Sequence, residues 1–131
     1  MAVFSFIDDV AEVRKSESLT AFFTLDPGQE FLKDHFESFP VMPGVLQVES
    51  LRQAASRLLT ETGGPGFYRL ESIGSVKYGQ FVKPGSRLKI FVRFLKKENS
   101  SFRFDGRIDL MDGDRSLGRV IAADFSLAAT D

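Results

Sequence analysis

The hydrophobic pattern of this chain changes period at Gly63-Gly64-Pro65-Gly66, and that change restricts the fold more than any other feature. Ahead of the break, Leu51, Ala54, Ala55, Leu58 and Leu59 recur at helical spacing, with Val45, Leu46 and Val48 before them. The pattern predicts a helix over 43–62. Pro43 suits the first helical position, where its missing N–H costs nothing. Such a helix is about 30 Å long, enough to cross a small domain. Beyond the break the period is two. Leu88, Ile90, Val92 and Phe94 alternate with Lys89, Phe91, Arg93 and Leu95 in 87–95. The second set is half apolar, which predicts a strand covered on both faces. Phe102, Phe104, Ile108 and Leu110 mark a half-buried strand over 102–110, and Ile121, Ala123, Phe125 and Leu127 another over 119–127. Asp112-Gly113 between them matches a tight hairpin turn. Residues 67–82 are expected to form an earlier strand, with a turn at Pro84-Gly85. Residues 18–25 form a first one, ending at Asp26-Pro27-Gly28. One long apolar helix with five or six antiparallel strands is α+β architecture, the sheet curled around the helix.

The 131 residues fit one domain, 1–131, with enough apolar character for a real core. With 17 basic and 18 acidic residues, no broad attraction to nucleic acid or anionic membrane is expected. The absence of cysteine excludes disulfides, thiolate metal sites and a Cys nucleophile, and the single histidine, His35, excludes a multi-His metal site within one chain. No window approaches the length of an apolar membrane span. The apolar Met1–Phe6 stretch is followed at once by Asp8, Asp9 and Glu12, unlike a secretory signal, so a cytoplasmic location is expected.

The stretch 34–49, DHFESFPVMPGVLQVE, carries the chemistry. It places the only histidine before a Pro-Gly helix start and a glutamate inside the helix among Val45, Leu46 and Val48. Burial of a carboxyl group there should raise the pKa of Glu49, leaving an acid able to donate a proton near neutral pH. His35, with an ordinary pKa of about 6.5, is able to accept one. An acid and a base of this kind suit removal of a proton and a hydroxyl from adjacent carbons. The first turn at Pro43-Gly44-Val45 offers free N–H groups at the positive end of the helix dipole, suited to a carbonyl oxygen on which charge develops. Taken singly, each residue also has an ordinary reading: a packed histidine, a solvent-facing glutamate, a plain turn.

The segment resembles the active-site signature of the FabZ-type β-hydroxyacyl-acyl-carrier-protein dehydratases. The matching residues are His35, Phe36, Pro40, Val41, Pro43, Gly44, Val45, Leu46, Glu49, Gln53 and Ala54, at the family's interval between His and Glu. A second block, Ile73 to Gly85, resembles the family's strand ending in Val-x-Pro-Gly. The resemblance spans roughly residues 4–128. It implies a hot-dog fold, a long central helix wrapped by a curved antiparallel sheet. It implies a homodimer at least, in some members a trimer of dimers, with the His of one subunit facing the Glu of the other. It implies dehydration of a (3R)-hydroxyacyl group to the trans-2-enoyl product, without isomerisation. The substrate rides on the phosphopantetheine arm of acyl carrier protein, and no metal or dissociable cofactor takes part. In these roles His35 takes the C2 proton, Glu49 assists departure of the C3 hydroxyl, and the N–H groups of Gly44 and Val45 hold the thioester carbonyl. Gln53 orients Glu49 from one turn further on.

The chain departs from the family pattern in places. Glu37-Ser38 stands where Pro-Gly is usual, Phe39 is bulkier than its counterpart, Ser56 replaces a frequent Gly, and the N-terminal Pro-His-Arg-x-Pro-Phe segment is missing. Two alternatives therefore stay open: a non-catalytic hot-dog subunit that binds acyl-thioester or acyl carrier protein, and an acyl-thioesterase. Lys77, Lys83, Arg87 and Lys89 are candidates for receiving an acidic carrier protein, against the plainer reading of a solvated strand face.

Overall fold

A computed structural model describes residues 5–26, 42–63 and 66–130. Among the described residues, one helix packs on a six-stranded antiparallel sheet. The strands are β1 (Asp9–Arg14), β2 (Ser18–Thr24), β3 (Tyr68–Tyr78), β4 (Arg87–Glu98), β5 (Ser101–Asp112) and β6 (Arg115–Ala129), and the helix α1 (Gly44–Glu61) lies between β2 and β3. The spatial order is β1-β2-β4-β5-β6-β3, so β1 and β3 form the two edges.

The period-two segments are the strands β4, β5 and β6, each longer than the alternation alone indicates. Their inward residues Leu88, Ile90, Val92, Phe104, Ile108, Ile121, Phe125 and Leu127 form the core with Leu19, Ala21 and Phe23 of β2. The helix seals it with Leu51, Ala54, Ala55, Leu58 and Leu59. Each fully buried aliphatic or aromatic side chain contributes about 1.5–3 kcal/mol through lost apolar exposure, so this face is what holds helix to sheet. Phe104 stacks on Phe125 with ring centroids 5.7 Å apart, which ties β5 to β6 beneath the helix.

Several expectations are corrected. Pro43 is not the first helical residue but the N-cap, in extended conformation with φ −62° and ψ 147°. The β5–β6 turn is centred on Gly113-Asp114, because Asp112 still pairs with Arg115. Gly113 has φ 60°, the left-handed first position that a type II′ hairpin turn requires. Strand β4 is covered on one face only, with Phe91 and Leu95 on the exposed side. Strand β1 has no counterpart in the hydrophobic pattern. A bulge between Val10 and Glu12 sets the inward residues Val10 and Val13 three apart, which hides the alternation.

Candidate active site

The start of α1 is fixed from both sides. Met42 N–H donates to Val82 O at 2.9 Å, tying the chain entering the helix to the chain leaving β3. The carbonyl of Pro43 accepts from Leu46 N–H at 3.0 Å and Gln47 N–H at 3.2 Å. The N–H groups of Gly44 and Val45, ahead of these, have no partner among the described residues. Gly44 lines a cleft of about 330 Å³ with Pro43, Gln47, Tyr78, Phe81 and Val120, among others. Gly44 lies close under Tyr78: a Cβ at this position would stand 2.8–3.0 Å from the phenol of that exposed side chain. Gln47 is 5% exposed; its Nε2 donates to Met42 O at 3.3 Å, while its Oε1 is buried without a partner among the described residues.

Glu49 sits one turn further along, its side chain 30% exposed. Its carboxylate is held by two neighbours on the same helix. Arg52 Nε donates to Oε1 at 2.7 Å and an Arg52 Nη to Oε2 at 2.7 Å, a two-pronged contact. Gln53 Nε2 donates to Oε2 at 2.9 Å. Gln53 Oε1 in turn accepts from Phe6 N–H at 2.7 Å, which locks the amide's orientation. The expected i,i+4 contact between Glu49 and Gln53 is therefore present. The expected upward pKa shift of Glu49 is not. Burial does push it up, but hydrogen bonds from Arg52 and Gln53 and the guanidinium charge together hold the carboxyl below its ordinary value. Glu49 rests as a carboxylate at neutral pH.

The structure brings Glu49 together with Gln53, and places Gly44 and Val45 at the open end of the same helix. His35, with Phe36, Pro40 and Val41 and the divergent Glu37, Ser38 and Phe39, lies outside the described residues. Arg52 was missed in the sequence, although its i,i+3 spacing from Glu49 is a usable signal. The cleft contributions of Tyr78 and Gln47 were missed too. The basic candidates do not form one tight cluster. Lys77 is on β3 and Lys89 on β4, with β5 and β6 between them. Arg87 lies over the Phe22 ring at 4.5 Å, on its own part of the sheet.

Comparisons agree with this architecture. The family described as ApeI-like, ApeI dehydratase, matches residues 11–113. A 3-hydroxyacyl-[acyl-carrier-protein] dehydratase FabZ of Coxiella burnetii is 32% identical over 114 residues, covering 83% of this chain and 80% of that protein. The protein of the same name from Pediococcus pentosaceus is 41% identical over 98 residues, covering 72% of this chain and 65% of that protein. Among solved structures, the dehydratase heterocomplex ApeI:P from Xenorhabdus doucetiae superposes with a TM-score of 0.71 at 22% identity, covering 97% of this chain and all of that one. A hypothetical thioesterase with coenzyme A from Streptococcus pneumoniae superposes at 0.70 with 12% identity, covering 93% and 84%. At these identities the structural likenesses show the hot-dog fold.

Proposed function

Since the chain belongs to the ApeI-like family of hot-dog dehydratases, we propose that it removes water from a (3R)-hydroxyacyl thioester carried on acyl carrier protein, leaving the trans-2-enoyl thioester. The observation that carries this reading is the helix α1 itself. It presents open Gly44 and Val45 N–H groups at one end and an ordered carboxylate, Glu49, one turn on.

The reaction moves one proton from C2 to the C3 oxygen and breaks the C3–O bond; no electrons enter or leave. In this reading His35 takes the C2 proton while the thioester carbonyl accepts hydrogen bonds from Gly44 and Val45, which stabilise the negative charge developing on it. Glu49 passes a proton to the departing hydroxyl. Because Arg52 and Gln53 favour its ionised form, the protonated Glu49 that dehydration needs is the minor form at neutral pH. The ionised form suits the reverse reaction, where Glu49 takes a proton from the water that adds to C3.

We also assign a homodimer, formed along the edge strand β3. This edge runs 11 residues, pairs among the described residues only with β6, and exposes Ile73 and Tyr78. The opposite edge, β1, is six residues long, bulged, and carries Asp9, Glu12 and Arg14, features that discourage pairing.

The test is hydration of enoyl-thioesters of several chain lengths, read as loss of enoyl absorbance, on wild type, His35→Ala and Glu49→Gln. Wild-type turnover, lowered about 10²–10⁴-fold in each variant with folding intact, is expected. No wild-type turnover with the acyl-carrier-protein substrate would sink the dehydratase reading. One second reading is favoured by the ionised state of Glu49: thioester hydrolysis, with the carboxylate taking a proton from water. Release of free thiol without enoyl chemistry would select it.

A further inference from the structure

We propose that Arg52 is the positioning residue of this site, the group that fixes the orientation and the resting charge of Glu49 before substrate arrives. The proposal rests on reading Glu49 as a proton-handling group and assigns what controls it.

The same helix supplies the contrast that carries the argument. Arg57 and Glu61 form an ordinary surface pair, one 2.9 Å contact between side chains 49% and 38% exposed. Such pairs are worth little and hold no fixed geometry. Arg52 is different in each respect. Its side chain is 11% exposed, and both prongs of its fork reach Glu49 at 2.7 Å. Its remaining nitrogen donates to the backbone carbonyl of Tyr68, at the start of β3, at 2.7 Å. The guanidinium also faces the Phe67 ring, 5.3 Å from its centroid. All three nitrogens are therefore placed, and one is anchored on a different element from the one carrying Glu49. The planar fork sets the plane of the carboxylate, which a lysine ammonium, a point charge on a flexible stem, does not.

Nothing else among the described residues competes for this role. Among the described residues Arg52 is the one charged group that acts on Glu49. Strand β3 and the residue before it present a neutral carbonyl and a neutral ring, and Gln53 adds a neutral amide tied to Phe6.

The experiment follows the carboxyl carbons of glutamate by ¹³C NMR across pH, with the Glu49 signal assigned by its disappearance in Glu49→Gln. Wild type, Arg52→Gln, Arg52→Lys and Arg57→Ala are compared, and kcat/KM for enoyl-thioester hydration is measured over the same pH range. Glu49 is expected to titrate below the ordinary glutamate range in wild type and in Arg57→Ala. It moves up in Arg52→Gln, with Arg52→Lys between. In Arg52→Gln, kcat/KM at neutral pH falls about 10–100-fold, mostly in kcat, the scale of a misplaced catalytic group. Arg52→Lys recovers only part of it. A Glu49 titration unchanged between wild type and a folded Arg52→Gln overturns the proposal. Should that variant not fold, an unchanged titration in Arg52→Lys, which keeps the charge and loses the fork, overturns it equally. The titration needs no turnover. A shift in an inactive protein upholds Arg52 and removes the dehydratase reading, whereas turnover without a shift does the reverse.

Discussion

In its second half, α1 lays Ala54, Ala55, Leu58 and Leu59 against the sheet, and its last turn is closed. There Thr62 Oγ1 donates to Leu58 O at 2.9 Å and accepts from Ser16 N–H at 3.1 Å. In its first half the same helix, among the described residues, leaves two N–H groups open and Gln47 Oε1 buried without a partner, and it holds a carboxylate in a fork. Buried polar atoms are nearly always paired in folded chains, so Gln47 Oε1, unpaired among the described residues, sets the first half apart, and the open N–H groups beside it are the ones the proposed reaction draws on. The difference suggests a division of labour along 18 residues: packing against the sheet is concentrated from Leu51 onward, and the proposed chemistry draws on Gly44, Val45 and Glu49 ahead of it.

The most damaging way to break that division is Leu58→Ala. Leu58 is fully buried in the core, so its truncation is expected to cost about 2–5 kcal/mol. Urea denaturation reads the cost directly. Below the unfolding transition, kcat/KM per folded molecule is expected to remain near wild type. A large loss of activity in folded Leu58→Ala would mean that the two halves are mechanically coupled and the division is wrong.

A smaller effect comes from the other end. Gly44→Ala adds a methyl group 2.8–3.0 Å from the Tyr78 phenol, an exposed side chain that is able to swing away. Stability should change by less than about 1 kcal/mol while kcat/KM falls about tenfold, because the cleft beside the open N–H groups is reshaped. In a Tyr78→Ala background the same substitution should cost little, since the collision is gone. An undiminished loss there would place the importance of Gly44 elsewhere than in its contact with Tyr78.

How much of this was legible in the sequence follows from the range of each interaction. The helix bounds and the strands β4 to β6 were readable because periodicity is a local property, and they are accurate to a few residues. Strand β1 was not, because its bulge puts Val10 and Val13 out of phase. That Gly44, Val45, Glu49 and Gln53 share one helix was readable from the same periodicity, while their roles rest on the family resemblance. The charge state of Glu49 is not legible from its apolar neighbours alone, because Arg52, three residues on, outweighs their burial. Tyr78 was beyond reach, since its contact with Gly44 joins segments 34 positions apart, and no local pattern announces it.

The smallest effect tests the polar half by stability alone. Glu49 has its folded pKa lowered from an ordinary value of 4.5, so the folded state favours the carboxylate. Its contribution to stability is fully present above the unfolded value, and it is lost as pH falls through the folded one. Unfolding free energies from urea titrations between pH 7 and pH 3 should therefore decline more steeply on the acid side in wild type than in Glu49→Gln. Above about pH 6 the gap between the two should be constant. Glu71 supplies the comparison, since its pKa is also lowered, by hydroxyl donors from Ser101 and Ser126, but at the exposed surface. Glu71→Gln should flatten the acid slope less than Glu49→Gln, because solvent screens an exposed carboxylate and the Arg52 fork is largely shielded. Equal slopes for the two variants would mean that the fork adds nothing beyond a surface hydrogen bond, and the contrast between the two halves of the helix would then rest on its open N–H groups and Gln47 alone.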